Sequence, residues 1–261
     1  MTGFQGRFVW YDLTTTDVSA AIQFYQDVVG WRPARFDDAY TVWQAGDRGI
    51  GGVTSVHSGA KRATTAPHWM GYVLADDVDA LTKKAESLGA TTKVAPEDIP
   101  TIGRFSVIAD PQGATIALFT PLPRPEPPPQ PSSEAPPPGH VSWHELVTDD
   151  PEAALAFYAR LVGWEKTDAI ESPMGVYQMY GRNNQPLGGM FTKPADMPMP
   201  PNWLYYIRVS NVDEAAERVK ALGGQVLNGP MDVPGGDRIA QCLDPQGAAF
   251  AVHSVAAPRA D

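Results

Sequence analysis

The chain of 261 residues contains one cysteine, five histidines and no apolar run long enough to cross a bilayer. Its single cysteine, Cys242, can form neither an internal disulfide nor a thiolate metal cluster, which agrees with a reducing compartment. The first residues also lack the apolar core of a secretory signal. The sequence therefore predicts a cytoplasmic protein that does not associate with a membrane.

Basic residues are scarce as well. The chain has 20 Lys and Arg against 30 Asp and Glu, which gives a formal net charge of −10. A surface of this sign repels a phosphate backbone, so we expect no nucleic acid as partner. With 43% hydrophobic and 19% charged residues, the composition is that of a globular protein, long enough for two domains.

The sequence is a tandem repeat. The stretch from Trp143 to Trp164 is a close copy of the stretch from Trp10 to Trp31, and each copy has the pattern of an alternating strand followed by a helix. In both copies an Asp stands at the helix N-cap and a Gly at the helix end: Asp17 and Gly30, then Asp150 and Gly163.

A second strand-and-helix module follows in each half, beginning near His68 and near Asn202. Each half then closes on a hairpin with the turn sequence Asp-Pro-Gln-Gly, which favours a type I turn. The chain therefore contains four modules in two pairs. We predict domains at residues 1–120 and 140–257, joined by a Pro-rich linker at 121–139 in polyproline II conformation.

Strand alternation predicts which side chains face away from the helices. On the first strand of each half, the leucines would pack under the helix and leave four residues on the opposite, inner face: Trp10, Asp12, Trp143 and Glu145. On the last strand, Phe119 and His253 share the inner face with the small Ala117 and Ala251. Small residues there leave room for a cavity.

These features carry a family resemblance. A strand, an Asp-capped helix with Phe-Tyr, a Gly-Trp pair and a closing Asp-Pro-Gln-Gly-Ala hairpin resemble the vicinal oxygen chelate superfamily of glyoxalases, bleomycin-resistance proteins and extradiol dioxygenases. The double-length form is similar to the actinobacterial secreted-antigen and "hydroxylase" branch. The resemblance implies an α+β fold in which four βαβββ modules, in two pairs, form open curled sheets around a cavity.

In metal enzymes of that superfamily, a His on a first strand and a Glu on a last strand hold the ion. Matched residue by residue, the first-strand places carry Trp10 and Trp143, and the last-strand places carry Ala117 and Ala251. The inner modules bring these residues to the remaining places, with an uncertainty of one residue that admits His68: Trp69 or Met70, and Trp203 or Leu204. Indole and methyl groups are not metal donors. The resemblance therefore implies no usual metal site, and we predict no cofactor.

Four polar residues are further candidates for catalysis or ligand binding. Glu145 and His253 can form a general acid/base pair, fix a polar group of a ligand, make a structural pair, or hold a metal in an unusual site. Arg104 and Arg238 occupy matching places on the strand before the turn. Each can bind a ligand anion or form an ion pair with Asp12 or Glu145.

We predict metal-independent binding of a small apolar or aromatic molecule. The predicted ligand-binding residues are Trp10, Asp12, Trp69, Arg104, Phe119, Trp143, Trp203 and Arg238. The tryptophans would serve as flat cavity walls, although a plain core role explains them too. The alternative function is a lyase, isomerase or hydroxylase-like enzyme with Glu145 and His253 as catalytic residues. Both a monomer and a homodimer fit the sequence.

Overall fold

The structure is a computed structural model that describes residues 5–58, 66–123, 136–172, 175–197 and 199–256. Most of the predicted Pro-rich linker, residues 124–135, lies outside the described residues. Within the described ranges the chain forms sixteen strands and four helices. None of these helices is long and apolar enough to span a membrane.

The first half contains two βαβββ modules. Its elements are β1 (Phe8–Thr15), α1 (Val18–Val29), β2 (Arg32–Arg35), β3 (Tyr40–Ala45), β4 (Arg48–Ser55), β5 (His68–Leu74), α2 (Val78–Ser87), β6 (Thr91–Ile99), β7 (Gly103–Ala109) and β8 (Thr115–Pro121). The strands form one sheet in the order β2-β3-β4-β1-β5-β8-β7-β6, so β1 and β5 lie at its centre.

The second half repeats this arrangement. Its elements are β9 (Val141–Thr148), α3 (Pro151–Val162), β10 (Glu165–Ser172), β11 (Gly175–Arg182), β12 (Gln185–Thr192), β13 (Asn202–Arg208), α4 (Val212–Ala221), β14 (Gln225–Asp232), β15 (Arg238–Leu243) and β16 (Ala249–Ser254). The sheet order β10-β11-β12-β9-β13-β16-β15-β14 matches that of the first sheet. The predicted α+β fold with four modules in two open sheets is confirmed.

The predicted helix signals have the expected geometry. The carboxylate of Asp17 accepts a hydrogen bond from the Ala20 amide at 3.0 Å, and that of Asp150 accepts one from Ala153 at 3.0 Å. Gly30 ends α1 in the left-handed region at φ 78°, where a Cβ would be strained. Local sequence therefore determines where these helices begin and end.

The Asp-Pro-Gln-Gly turns are built as predicted. The Gly113 amide donates to the Asp110 carbonyl at 3.0 Å, which closes the turn. The Asp110 carboxylate also accepts from the amides of Gln112 and Ala114 at 2.9 and 3.1 Å. Asp244 makes the same bonds to Gln246 and Ala248 at 3.0 and 2.8 Å. One oxygen of each carboxylate is thereby used within its own turn.

The compact units of the molecule differ from the two sequence halves. One unit, the α2/α3 unit, contains both of those helices with β6–β8 and β10–β12. The other, the α1/α4 unit, contains those two helices with β2–β4 and β14–β16. Strands β1, β5, β9 and β13 change units within their length, at Trp10/Tyr11, Trp69/Met70, Ser142/Trp143 and Trp203/Leu204. Each compact unit therefore combines modules from both halves.

Each unit contains a buried hydrogen bond from a helix tyrosine of one half to the turn aspartate of the other half. In the α1/α4 unit, the Tyr25 hydroxyl donates to Asp244 Oδ2 at 3.1 Å. In the α2/α3 unit, the Tyr158 hydroxyl donates to Asp110 Oδ2 at 3.1 Å. Burial raises the pKa of both carboxyls, although the surrounding amides and the tyrosines oppose the shift. These bonds supply the second oxygen of each aspartate with a donor.

The surroundings of the two tyrosine hydroxyls differ at one tryptophan. The indole N–H of Trp69 donates to the Tyr25 hydroxyl at 2.9 Å, so Tyr25 serves two buried partners. The indole nitrogen of Trp203, at the matching place in the α2/α3 unit, is buried and has no hydrogen-bond partner among the described residues. Tyr25 therefore serves Asp244 and Trp69 at once.

We expect Tyr158→Phe to lower the free energy of unfolding by about 1–2 kcal/mol, because Asp110 loses a donor. Tyr25→Phe should also lower it by at least about 1–2 kcal/mol, because Asp244 loses a donor and Trp69 loses its acceptor. Urea unfolding of both variants, followed by circular dichroism, measures the two losses. An unchanged free energy of unfolding in either variant would contradict this account of the bonds.

Candidate functional site

The inner face of the α2/α3 unit is apolar and rich in aromatic side chains. Buried Tyr72, Phe105 and Ala117 form its centre. The Tyr72 ring lies 6.2 Å from that of Phe105 and 6.3 Å from that of Phe119, between ring centroids. Partly buried apolar side chains surround this centre: Trp10, Met70, Val94, Ile99, Val107 and Phe119. Two predicted ligand-binding residues, Trp10 and Phe119, therefore lie on one apolar face.

The predicted alternation on the last strands is confirmed. Ile116 and Leu118 of β8 lie on the other side of the strand and share an apolar gap with Tyr158 and Leu161 of α3. In β16, Phe250 packs against Tyr25 of α1 with ring centroids 5.3 Å apart. Ala117 and Phe119, which alternate with Ile116 and Leu118, belong to the apolar cluster. The inner-face position of His253 in β16 stays a prediction from the same alternation.

Trp69 and Trp203 lie elsewhere than on the predicted cavity walls. Trp69 is 8% exposed and packs edge-on against Tyr25, with centroids 5.3 Å apart. Trp203 is 6% exposed and packs against Tyr158 in the same way at 5.5 Å. Met70 instead belongs to the inner-face cluster. The reason is strand parity: an uncertainty of one residue in the strand register moves a side chain to the opposite face.

In β9, the inner-face residues Trp143 and Glu145 belong to a short hydrogen-bond chain. The Trp143 indole donates to the Tyr177 hydroxyl at 2.8 Å, and that hydroxyl donates to Glu145 Oε2 at 3.1 Å. Burial, followed by the charge of Glu145, raises the pKa of Tyr177 well above its ordinary value. The tyrosine therefore stays a neutral donor that orients the buried carboxylate.

The first half contains the matching pair in the α1/α4 unit. The Tyr40 hydroxyl donates to the Asp12 carboxylate at 2.5 Å, and Asp12 is 4% exposed. Gly52 and Gly189 lie beneath the two tyrosine rings, where a Cβ would overlap the ring. The Gly-Gly pairs of β4 and β12 thus make space for a tyrosine over each inner-face carboxylate.

His253 has partners of its own in the α1/α4 unit. Its Nδ1 lies 2.8 Å from the Ser142 hydroxyl, and its Nε2 lies 2.9 Å from Asp237 Oδ2. Burial would raise the pKa of Asp237, but the Ala256 amide and His253 together hold it below its ordinary value. Asp237 is therefore ionised. The pairing of His253 with Glu145 as acid and base stays a prediction.

The two arginines form ion pairs, but with partners other than the predicted Asp12 or Glu145. Arg104 makes a two-pronged contact with Asp79 at 2.6 and 3.0 Å and contacts Asp98 at 2.8 Å. Arg238 repeats this with Asp213 and Asp232 at matching distances. Each guanidinium fastens the first turn of a helix to the neighbouring β-hairpin, so these contacts account for both arginines structurally.

Among the residues that the structure describes, no set of donors on the inner faces is suited to a metal ion. The places matched to metal ligands hold Trp10 and Ala117 in the first half, and the Trp10 side chain packs in the apolar cluster. Within the described ranges, no three His, Cys, Asp or Glu side chains come together in a way that would hold a metal. The metal chemistry of the fold family therefore has no matching ligand set among these residues.

Comparison with known proteins identifies the family. The model of the Glyoxalase/Bleomycin resistance protein/Dioxygenase superfamily matches residues 7–118 and 138–252. The chain belongs to this superfamily. The match covers both halves separately, in agreement with the repeat.

Two relatives extend over nearly the whole chain. CFP32 of Mycobacterium bovis, which bears a glyoxylase name, is 33% identical over 257 residues, covering 95% of this chain and 94% of CFP32. The anthracycline biosynthesis protein DauV of Streptomyces sp. strain C5 is 32% identical over 277 residues, covering 97% and 94%. The similarity to both relatives therefore extends over both halves of this chain.

Solved structures share the fold. The Mn(II)-bound glyoxalase from Novosphingobium aromaticivorans has a TM-score of 0.65 at 19% identity, covering 96% of this chain and 82% of the glyoxalase. Homoprotocatechuate 2,3-dioxygenase from Arthrobacter globiformis has a TM-score of 0.67 at 16% identity, covering 96% and 80%. At these identities the likeness concerns the superfamily fold.

Sequence reasoning missed the partners of the inner-face carboxylates and of His253. Tyr40 and Tyr177 stand at corresponding places before the two Gly-Gly pairs, and this recurrence was the available signal. Ser142 and Asp237 replace Val9 and Gly103 of the first half, so a comparison of the halves position by position would have found them.

His144 of β9 is buried, and its ring stacks on Phe8 with centroids 3.9 Å apart. Burial lowers its pKa to about 4, against a smaller opposing effect of the Leu187 carbonyl. The folded state therefore holds a neutral imidazole at pH values where the unfolded chain binds a proton. Stability from this group is complete above about pH 6.5 and is lost as the pH falls towards 4.

We expect His144→Phe, which keeps a ring against Phe8 but cannot titrate, to reduce the pH dependence of unfolding. The stability advantage of the native protein over this variant should shrink between pH 7 and pH 4.5, by on the order of 2–3 kcal/mol for a buried neutral imidazole. Urea unfolding at four pH values measures it. An advantage that does not change with pH would show that His144 is protonated in the folded protein.

Proposed function

We propose that this protein binds a small, planar, apolar or aromatic molecule without a metal ion. The observation that carries the proposal is the apolar inner face of the α2/α3 unit. Trp10 and Ala117 stand there at places matched to metal ligands, and Phe119 and Tyr72 extend the aromatic surface. A contiguous group of partly exposed apolar side chains on one face is typical of a ligand-binding or interaction surface.

Polar groups at the inner faces narrow the class of ligand. In the same unit as the apolar face, Glu145 presents a buried carboxylate that the Tyr177 hydroxyl orients. The chain also has a net charge of −10. Both features disfavour an anionic ligand and favour a neutral or cationic one whose hydroxyl or amino groups donate hydrogen bonds.

The relatives support the aromatic class. DauV is named as an anthracycline biosynthesis protein, and anthracyclines are flat, fused-ring molecules with hydroxyl groups. A flat ring system stacks on indole and phenyl faces, while its hydroxyl groups can reach oriented carboxylates. We propose that the ligand of this protein belongs to the same broad chemical class of hydroxylated polycyclic aromatics.

An enzyme is the second candidate. It would be a lyase, isomerase or hydroxylase-like activity in which Glu145, in the α2/α3 unit, or His253, in the α1/α4 unit, transfers a proton. The observation that favours it is that each of these side chains is held by a hydrogen-bonded partner, Tyr177 or Asp237, as an acid or base at a reaction centre would be. Turnover of a bound molecule, detected by mass spectrometry of the recovered ligand, would separate this candidate from simple binding.

The binding proposal is tested by isothermal titration calorimetry with doxorubicin as the probe, in protein dialysed against a chelator. We expect saturable binding, and a gain in thermal stability of roughly 2.7 kcal/mol at a hundredfold excess over the dissociation constant. Trp10→Ala should weaken binding at least tenfold, because a stacking surface is lost from the inner face.

Leu227→Ala is the matched control. Leu227 is 58% exposed and lies outside the inner-face cluster, so its removal should leave the affinity unchanged. Equal affinities of the native protein and Trp10→Ala would overturn the placement of the ligand on this face. Binding that disappears after chelation and returns with Zn²⁺ or Mn²⁺ would overturn the metal-independent mode.

A further inference from the structure

The two halves differ at three matched positions, where the first half has apolar residues and the second half has polar ones. The three polar residues lie together in the second half. In the first half these positions hold Val9, Phe119 and Gly103. The corresponding residues of the second half are Ser142, His253 and Asp237. Ser142 precedes the Trp of the first strand, as Val9 does. Asp237 precedes the Arg before the turn, as Gly103 does, and His253 stands near the end of the last strand, as Phe119 does.

In the first half, two of these three residues pack against each other. Phe119 is part of the inner-face cluster of the α2/α3 unit, and a Cβ on Gly103 would overlap the Phe119 ring. Gly103 is therefore required by the phenyl ring. In the second half an imidazole replaces the phenyl ring, and a carboxylate replaces the hydrogen of glycine. The packing pair of one half thus corresponds to a hydrogen-bonded pair in the other.

The second-half residues form an ordered chain of hydrogen bonds. Asp237 Oδ1 accepts from the Ala256 amide at 2.9 Å, and its Oδ2 lies 2.9 Å from His253 Nε2. An ionised carboxylate requires a proton on that nitrogen, which leaves Nδ1 of the neutral ring as an acceptor. The Ser142 hydroxyl lies 2.8 Å from Nδ1 and 3.2 Å from the Tyr206 carbonyl, so the shorter contact is to the base.

We propose that Ser142, His253 and Asp237 form a nucleophile, base and orienting carboxylate that act on neutral carboxylic esters. A serine hydroxyl is activated when a histidine lies at hydrogen-bond distance from it and a carboxylate holds that histidine, and both distances here fit that arrangement. In this site Nδ1 faces the serine and Nε2 faces the carboxylate, whereas the commonest arrangement has the two nitrogens the other way round. This inference does not depend on the proposed binding function, since it rests on contacts within the α1/α4 unit.

The site is partly open. The His253 side chain is 14% exposed and that of Asp237 is 38% exposed, and Ser142 is half-buried at the start of β9. Tyr206 and Gln241, whose side chains are joined by a hydrogen bond of 2.8 Å, belong to the same unit. The negative net charge of the chain again favours a neutral substrate.

The reaction is balanced with water as the second reactant. Ser142 Oγ forms a bond to the ester carbonyl carbon while its proton passes to His253 Nδ1, and the imidazolium stays bound to Asp237. The bond to the leaving alkoxide breaks, and the alkoxide takes the proton from Nδ1. Water then attacks the acyl-serine and gives a proton to Nδ1. Ser142 recovers that proton as the carboxylic acid leaves.

The test uses the full chain and an alkyl fluorophosphonate carrying biotin, with labelling followed by intact mass and peptide mapping at pH 7.5. One adduct per chain is expected, at Ser142, and none in Ser142→Ala. His253→Phe restores the first-half residue and should slow labelling at least a hundredfold, in line with the usual effect of a general base. Asp237→Asn should slow it at least tenfold.

Val9→Ser is the matched control, because it places a serine at the corresponding position of the first half without the histidine and the aspartate. It should gain no second adduct. Melting temperatures of all variants establish that they fold, and hydrolysis of p-nitrophenyl butyrate by the native protein gives an independent reading. An unlabelled Ser142, in a sample where added trypsin is labelled, would overturn the proposal. Labelling of Ser142 at an unchanged rate in His253→Phe and Asp237→Asn would overturn it equally.

Discussion

The hydrogen bond between a helix tyrosine of one half and a turn aspartate of the other half is the interaction on which the arrangement of the molecule depends. It occurs twice, as Tyr25 to Asp244 and as Tyr158 to Asp110, and both bonds are buried. A buried carboxylate is costly unless its oxygens have donors. Each turn supplies donors to only one oxygen, so the second oxygen requires the tyrosine from the other half. The two halves of the sequence therefore complete each other's turns.

This constraint explains why the compact units cut across the repeat. Each unit combines the tyrosine-bearing helix of one half with the aspartate turn of the other, and aromatic side chains fill the space around the bond. In the α1/α4 unit the Tyr25 ring contacts Trp31, Trp69 and Phe250 with centroids 5.3–5.5 Å apart. Most of the conspicuous tryptophans of the sequence belong to this structural role. That is why Trp69 and Trp203 serve the core, whereas Trp10 lies on an inner face.

The strands, helices and turns could be predicted from the sequence, because their signals are local. The combination of modules from both halves into each compact unit could not, because the bonds from Tyr25 to Asp244 and from Tyr158 to Asp110 join residues far apart in the sequence. Asp N-caps, left-handed glycines, Asp-Pro-Gln-Gly turns and strand alternation each act over a few residues, and the repeat shows every one of them twice. The site could be predicted only in part. Parity places Glu145 and His253 on inner faces, but their partners Tyr177 and Asp237 come from other strands, and single-sequence patterns do not report contacts between distant strands. Arg104 and Arg238 show the same limit, since their aspartate partners lie at a helix start and on the adjoining strand.

Repetition has allowed the two halves to diverge in chemistry while they keep one fold. In the first half, Phe119 belongs to an apolar cluster beside Gly103. The second half carries His253 and Asp237 at these two positions, and His253 also lies at hydrogen-bond distance from Ser142. We propose, as the central point, that this member of the superfamily uses its inner faces without a resident metal. Elemental analysis by mass spectrometry of the protein as purified, without chelator, tests it most directly. The account predicts far less than one equivalent of Zn, Ni, Fe or Mn per chain, and about one equivalent of any of these would contradict it.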